Sequence, residues 1–381
     1  MKIWDAIIVG AGPAGCAAAY DLAAAGREVL LLDKAEFPRQ KACAGGLTLK
    51  AVKALRYSIE PVVRQKLSRM RVECDNDRTT ILRRRSPYCF MTVRQELDHY
   101  CFGKTIASGA RFQRLRAITA ITEESSSIAL SIDGQVLRAR FLIGADGVHS
   151  QVRLLTGMDS GWFWRAFALE ATVPVPNAAT QDLVFDFAPV RDGYGWLFPK
   201  GDHLNIGLYS YSKNEKIDRA RLALYIRNRF GDATSDSVIG QYAGFGAAQH
   251  NVLASRIFLV GDAGGFVDPL TGEGIYFAIV SGQAAAMAIE TDLASGNPAH
   301  EQFAQRTAAI RADLAITTSA ARWFYANLDQ GYRLLSMPLL HPAALNAFAN
   351  GLNLANLAAR AKKLMRLTSL HENLTVNRGA G

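Results

Sequence analysis

Ile3 to Val9 is a continuous apolar run of strand length that ends in Gly10-Ala11-Gly12-Pro13-Ala14-Gly15. An Ala-rich helical stretch from Cys16 to Ala25 follows and is closed by Gly26, and a second strand, Glu28 to Leu32, ends at Asp33. A βαβ unit with G-x-G-x-x-G at the strand-to-helix turn, and an acid closing the second strand, is the setting in which that motif holds a dinucleotide. Gly10 permits the tight turn, Gly12 lets the backbone approach a pyrophosphate, and Gly15 lets helix and strand close up while the helix N-terminus faces the anion. Asp33 is placed to accept hydrogen bonds from a ribose diol. The competing reading is a glycine-rich turn without a ligand.

Two further apolar strands end in acidic, glycine-rich turns: Phe141-Leu-Ile-Gly-Ala-Asp146-Gly147 and Ile257-Phe-Leu-Val-Gly261-Asp262-Ala-Gly264-Gly265. Ligands of an open parallel sheet sit beyond the carboxyl ends of its strands, so three such turns point to one extended cofactor. Segments of another character lie between them. Phe167 to Val175 alternates with period 2, as do, more loosely, Leu183 to Phe187, Tyr194 to Phe198 and His203 to Tyr211, which reads as an antiparallel sheet with Lys200-Gly201-Asp202 as a hairpin turn. From about Gly282 onward Ala- and Leu-rich helical stretches dominate.

At 381 residues the chain suits about two or three folding units, or one large α/β unit with insertions. Its five cysteines, Cys16, Cys43, Cys74, Cys89 and Cys101, contain no CxxC pair, so free thiols in a reducing compartment are expected. None of the seven histidines stands at HxxxH or HExxH spacing, and no metal is expected. The start of the chain lacks the pattern of a secretory signal, and no apolar run reaches the roughly 18 residues of a membrane span. A cytoplasmic protein is therefore expected. With 43 Lys plus Arg against 34 Asp plus Glu the chain carries a formal +9, but the basic groups are dispersed and match no nucleic-acid module. An anionic membrane face remains as a surface that such a charge would meet.

These residues resemble the FAD-dependent oxidoreductases of the p-hydroxybenzoate hydroxylase fold and, within them, the geranylgeranyl reductase family. GAGPAG at Gly10–Gly15 is similar to the ADP-binding turn, GADGVHSQVR at Gly144–Arg153 to the Asp-Gly segment, and VGDAGGFVDPLTGEGI at Val260–Ile275 to the Gly-Asp segment. The narrower resemblance rests on Pro38 to Leu47, similar to the segment around a flavin-side cysteine, and on Gly193-Tyr194-Gly-Trp196-Leu-Phe198-Pro199-Lys200, similar to the YxWxFP strand. The aromatic strand is also similar to the GWxWxIP stretch of flavin halogenases.

The resemblance implies an α/β fold: a Rossmann-like FAD-binding domain with an inserted antiparallel β-sheet substrate domain and a C-terminal helical region. The boundaries expected are 1–71, 93–160 and 251–290 for the FAD-binding parts, 72–92 and 161–250 for the sheet, and 291–381 for the helices. It implies that FAD is held by Gly10, Gly12, Pro13, Ala14, Gly15, Asp33, Lys34, Arg39, Ala44, Gly45, Arg94, Ala117, Asp146, Gly147, Gly261, Asp262, Gly272, Gly274 and Ile275. Among these Arg94 would reach the pyrophosphate region, Ala117 would contact adenine through its backbone, and Asp262 would bind the ribityl chain. Gly274 and Ile275 would present N–H groups to the flavin N1/O2 edge. Asp33 stands where glutamate is more usual.

The activity implied is reduction of carbon–carbon double bonds in an isoprenoid or other long apolar substrate, with hydride leaving flavin N5 and a proton arriving at the other carbon. The electron donor stays open between NADPH, NADH and ferredoxin, because FAD occupies the single dinucleotide motif. Cys43 is expected beside the flavin; a small buried hydrophobe is the competing reading. Tyr194, Trp196 and Phe198 share one strand face and would wall an apolar tunnel, unless they are ordinary core. The last helices, with Arg360, Lys362, Lys363 and Arg366, either lie peripherally on the inner face of the membrane or dock on the core. A flavin monooxygenase or halogenase would share all three FAD motifs, and a non-catalytic FAD-holding electron carrier is the alternative of another class. Nothing in the sequence fixes the oligomeric state.

Overall fold

The computed structural model describes residues 2–74, 78–158, 161–233, 235–250 and 255–351. Strand Ile3–Val9 lies at the centre of a seven-stranded sheet, parallel to Val29–Asp33 on one side and to Gln135–Gly144 on the other. Arg111–Arg114 extends the parallel run beyond Val29–Asp33, and Ile257–Leu259 extends it beyond the end of Gln135–Gly144. The first half of Gln135–Gly144 instead pairs antiparallel with Ile128–Ile132, and Ile118–Glu123 forms the edge. The run from Ala6 to Val9 is uniformly apolar because both faces of these strands are covered. Ala6, Ile8 and Leu31 face helices Pro13–Ala24 and Ile275–Ser295, while Ile7, Val9, Leu30 and Leu32 face the antiparallel hairpin. Each buried Ile or Leu contributes about 1.5–3 kcal/mol. Ala17, Ala18, Ala284, Ala285 and Ala288 are all buried, and their small side chains let the two helices approach closely.

The first helix begins at Pro13 rather than Cys16, because proline's fixed φ suits the first helical position and its missing N–H costs nothing there. The second strand runs one residue later than expected, to Asp33 itself.

The second sheet also has seven strands, in the order Ser237–Phe245, Trp164–Pro174, His203–Ser210, Gly193–Pro199, Leu183–Asp186, Arg69–Cys74 and Arg78–Arg83. All pairs are antiparallel except Leu183–Asp186 with Arg69–Cys74. Its first contribution starts at Arg69, three residues before the boundary expected at 72. One face, with Leu169, Leu197, Ile206 and Leu208, packs under helix Arg219–Phe230, which Asp218 caps by accepting from Arg221 N–H at 3.0 Å. The opposite face carries Tyr194, Trp196, Phe198 and Tyr209.

A three-stranded sheet, Gly46–Thr48, Cys89–Met91 and Gln65–Leu67, joins the two larger units and was not anticipated. Helices Ala299–Ala326, Leu328–Leu335 and His341–Asn350 complete the described chain. No helix of the described residues is long and apolar enough to cross a membrane. The basic residues Arg360, Lys362, Lys363 and Arg366 lie outside the described residues. All five cysteines are free.

Candidate active site

The three glycine-rich turns meet at the carboxyl ends of the parallel strands, where the second sheet closes over them. Gly10 has φ +102°, and a Cβ there would fall 2.2 Å from the Ala145 carbonyl oxygen. A Cβ on Gly15 would fall 1.8 Å from the Gly10 carbonyl, so only glycine permits this strand-to-helix approach. Gly12 is different: its nearest neighbour is the Arg39 guanidinium at 3.6 Å, which leaves its surroundings open to a ligand. Asp33 ties the turn down, Oδ2 accepting from Ala11 N–H at 2.7 Å and Oδ1 from Ala35 N–H at 2.8 Å. Helix Pro13–Ala24 starts at Gly12 with no side-chain cap, so its first N–H groups are free to meet an anion.

From this turn a cleft runs between the two sheets. Pro13, Cys43, Ala44, Gly45, Arg94, Tyr194, Trp196, Asp262, Gly272, Gly274 and Ile275 of the expected set line it. Cys43 is half-buried; its N–H donates to Glu170 Oε1 at 2.9 Å and its Sγ accepts from Gly45 N–H at 3.4 Å. Trp196 Nε1 donates to Asn205 Oδ1 at 2.7 Å. The loop ahead of helix Ile275–Ser295 is held by three tyrosine hydroxyls: Tyr194 donates to Thr271 O, Tyr325 to Leu270 O at 2.9 Å and Tyr209 to Pro269 O at 3.1 Å. That helix also begins without a side-chain cap, at Gly274 on the cleft wall.

Of the cleft residues, Arg94 is buried and engages Asp98 twice, Nε to Oδ1 at 2.9 Å and Nη2 to Oδ2 at 2.8 Å, and it sits beside Cys43. Other expected residues fall outside the cleft lining. Arg39, which also reaches Asp98 Oδ2 at 3.1 Å, is the guanidinium that stands at Gly12. Lys34 is exposed, with its carbonyl accepting from Arg114 Nε. The Ala117 N–H is taken by Asp133 Oδ1 at 3.1 Å, which leaves its carbonyl as the backbone group open to an adenine. Asp146 and Gly147 form the turn after Gln135–Gly144, where Asp146 Oδ2 accepts from Gln151 and Val152 N–H groups.

Several charged groups in or beside the cleft were given no role in the site from the sequence. Glu170 is buried on the strand face it shares with Ala168, and burial raises its carboxyl above the usual range despite the Cys43 N–H. Lys41 lines the cleft, its amine lowered by burial and by Arg94. Lys200 is buried, its Nζ donating to Ala44 O, and burial pulls its amine down to about 8. Lys200 continues the Tyr194, Trp196, Phe198 stripe by one further step of two, a pattern that could have flagged it. Glu273, raised by burial, accepts from Thr48 Oγ1 at 2.5 Å and pairs with Lys50 at 2.6 Å. Among the described residues no group of His, Cys, Asp and Glu comes together to hold a metal.

Beyond Glu273 lies a second, larger space of about 780 Å3, within the usual range for ligand pockets. It is walled by Val72, Leu82 and Phe187 from the sheet and by Trp323, Leu335 and Leu345 from the C-terminal helices. Phe185, Thr271, Glu273 and Phe348 line both spaces. The aromatic stripe thus borders the cleft, whereas most of the apolar room lies farther out, against the C-terminal helices.

Comparison with known proteins adds to this geometry. Residues 4–294 match the family described as FAD binding domain. The chain is 33% identical over 340 residues to an uncharacterized protein of Methanosarcina barkeri, covering 88% of this chain and 87% of the relative. It is 32% identical over 326 residues to the menaquinone reductase of Mycobacterium tuberculosis, covering 76% and 78%. It is 30% identical over 318 residues to digeranylgeranylglycerophospholipid reductase 2 of Methanopyrus kandleri, again covering 76% and 78%. The chain belongs to the geranylgeranyl reductase family of FAD-dependent oxidoreductases. Two solved structures share the fold of this family member. A geranylgeranyl bacteriochlorophyll reductase-like protein of Thermoplasma acidophilum superposes with a TM-score of 0.78 at 20% identity, covering 92% of this chain and 97% of that one. A flavin-dependent brominase superposes at 0.74 and 16% identity, covering 96% and 100%.

The residues of the reductase-family site fit FAD. Two uncapped helix N-termini, at Gly12 and Gly274, stand at the site, one at the turn and one on the cleft wall. Among the described residues the half-buried Asp262 carboxylate receives one long hydrogen bond, 3.4 Å from Gly244 N–H, which leaves acceptor capacity for sugar-like hydroxyls. Burial raises Asp262, and Lys41 and Arg94 oppose that rise. Asp146 Oδ1 is buried without a hydrogen-bond partner among the described residues, an acceptor left open to a hydroxyl of the cofactor.

Proposed function

We propose that this FAD-dependent oxidoreductase reduces carbon–carbon double bonds in the isoprenoid chain of a lipid-like substrate. The observation that carries the reading is the apolar groove of about 780 Å3 that shares Phe185, Thr271, Glu273 and Phe348 with the cofactor cleft. A long, flexible hydrocarbon is the ligand such a space suits, because burying each CH2 contributes about 0.8 kcal/mol and needs no polar partner. Relatives that reduce menaquinone and a digeranylgeranyl phospholipid support the same reading.

FAD, once bound and reduced by an external electron donor, would supply the hydride for one carbon of the double bond. The chain's own residues orient the alkene, keep out water and hold a proton for the other carbon. Tyr194 and Trp196 place aromatic surface on the cleft wall, each with its polar atom already hydrogen-bonded, so neither draws water inward. Among the cleft groups that can hold a proton are Cys43 Sγ and the Glu170 carboxyl, and burial favours the protonated form of the latter. Tyr194, Tyr209 and Tyr325 fix the loop that brings Gly274 to the cleft, which preserves the geometry through turnover.

Narrowing the groove tests this. Ala347 lines the groove, and Ala347→Phe fills part of it. Reduction of a long prenyl substrate is expected to fall while a short one is still reduced, with products identified by mass spectrometry. Equal loss for both lengths, or for neither, would remove the groove from the reaction. A monooxygenase or halogenase has the shared fold in its favour and no further observation, and an electron carrier would need no apolar groove.

A further inference from the structure

The outer end of the apolar groove opens onto an apolar surface. Trp323, Leu334 and Leu340 line the groove and are 46%, 43% and 39% exposed. Between the last two runs the turn Leu335-Ser-Met337-Pro-Leu339-Leu340, in which Met337 is 48% and Leu339 is 89% exposed. Surface leucines are common singly, but a cluster around the mouth of an apolar cavity marks a site of interaction. Asp268, Glu273 and Asp313 line the groove itself, but the unpaired charges of the helical stretch around its mouth are basic. From Thr317 to Gly351 the one acid in the sequence is Asp329, and Arg78 pairs with it at 2.8 Å. Arg322 and Arg333, both exposed, have no ion-pair partner among the described residues.

We propose that the Leu334–Leu340 turn inserts into the apolar edge of an anionic membrane, with Arg322 and Arg333 against its headgroups, so that a lipid chain enters the groove directly from the bilayer. The arginines fit an anionic surface and the leucines fit its acyl boundary, which together form the pattern of an interfacial anchor. Entry from the membrane also keeps a long hydrocarbon out of water on its way to the cleft. The purpose assigned here rests on the isoprenoid reading, while the docking surface itself rests on the exposed turn.

The test uses the full-length, FAD-loaded protein and Leu339→Glu, a change at a position too exposed to disturb the fold. Vesicles of phosphatidylcholine alone, and with phosphatidylglycerol, are sedimented with each protein at low and raised salt. The wild type is expected to bind the anionic vesicles, more weakly as salt rises, and Leu339→Glu to lose roughly tenfold or more in binding. Both proteins are expected to reduce a short, water-dispersed prenyl substrate equally. Absence of vesicle binding, or binding unchanged by Leu339→Glu, overturns the proposal. So does a wild-type dimer in solution that Leu339→Glu converts to monomer, because the turn then seats a second copy. Vesicle binding with the expected Leu339 effect, but without reduction of any prenyl substrate, would keep the docking surface and remove the isoprenoid reading.

Discussion

Lys200 is 3% exposed, yet its amine is the group that holds the Cys43–Gly46 segment from behind, through Ala44 O. Among the described residues no carboxylate bonds it directly; besides Ala44 O its Nζ meets Met91 Sδ at 3.7 Å, and burial brings its proton affinity down to about 8 from an ordinary 10.5. That difference corresponds to about 3 kcal/mol of preference for the neutral amine in the folded chain. Below the lower value the amine is charged in both states, and the folded state bears the whole cost of burying it. Between the two values the unfolded chain still binds a proton that the folded chain has released, so stability rises with pH. Above both, the contribution is constant. Lys200→Met removes the titration while leaving neighbouring groups in place. Measured by denaturant unfolding followed by circular dichroism, the stability of wild type relative to Lys200→Met should therefore improve by about 3 kcal/mol from about pH 7 to about pH 10.5. A difference that stays flat over that range, or that moves against the wild type, would refute the argument that Lys200 is buried without a compensating charge.

Three further outcomes follow from the site. Asp262→Ala should weaken FAD binding by about 10- to 100-fold, read by flavin fluorescence titration, since a charged acceptor with spare capacity is lost. Gly15→Val should give colourless protein, because its side chain would collide with the Gly10 carbonyl and open the turn; retained flavin absorbance would contradict the close approach. Cys43→Ala should keep its FAD, because the Cys43 N–H to Glu170 bond is made by backbone, but slow reduction of a prenyl substrate by roughly tenfold or more. An unchanged rate would assign Cys43 to packing.

How much of this was readable beforehand depended on how local the signal is. Ile3–Val9 and the turns at Gly10, Asp146 and Gly261 stood out because a continuous apolar run ending in glycine and acid is a pattern within a dozen residues. The strands carrying Phe167 and Tyr194 showed their period of two. Gly46–Thr48, Gln65–Leu67 and Cys89–Met91 are three residues each, too short to display any period. Ser237–Phe245 is an edge strand interrupted by Gly240 and Gly244, which breaks its alternation. In the site, the polar surroundings of the Cys43 segment include, besides Arg94, Glu170 and Lys200, which reach it across separations of 127 and 156 residues. Burial of such charges is a property of the assembled sheets, so no single stretch of sequence announces it. The groove escaped for a related reason: Phe185, Phe348 and Leu335 become one wall only when the C-terminal helices dock on the second sheet.

The most direct test of the central claim is anaerobic. The purified flavoprotein is reduced chemically, a geranylgeranyl-bearing substrate is added, and flavin absorbance is followed, with oxygen addition as the control. If the protein is an alkene reductase, the flavin is reoxidised by the substrate alone and the product has gained two hydrogens per double bond. If the flavin stays reduced until oxygen arrives, the protein is not an isoprenoid reductase and the monooxygenase or halogenase reading takes its place.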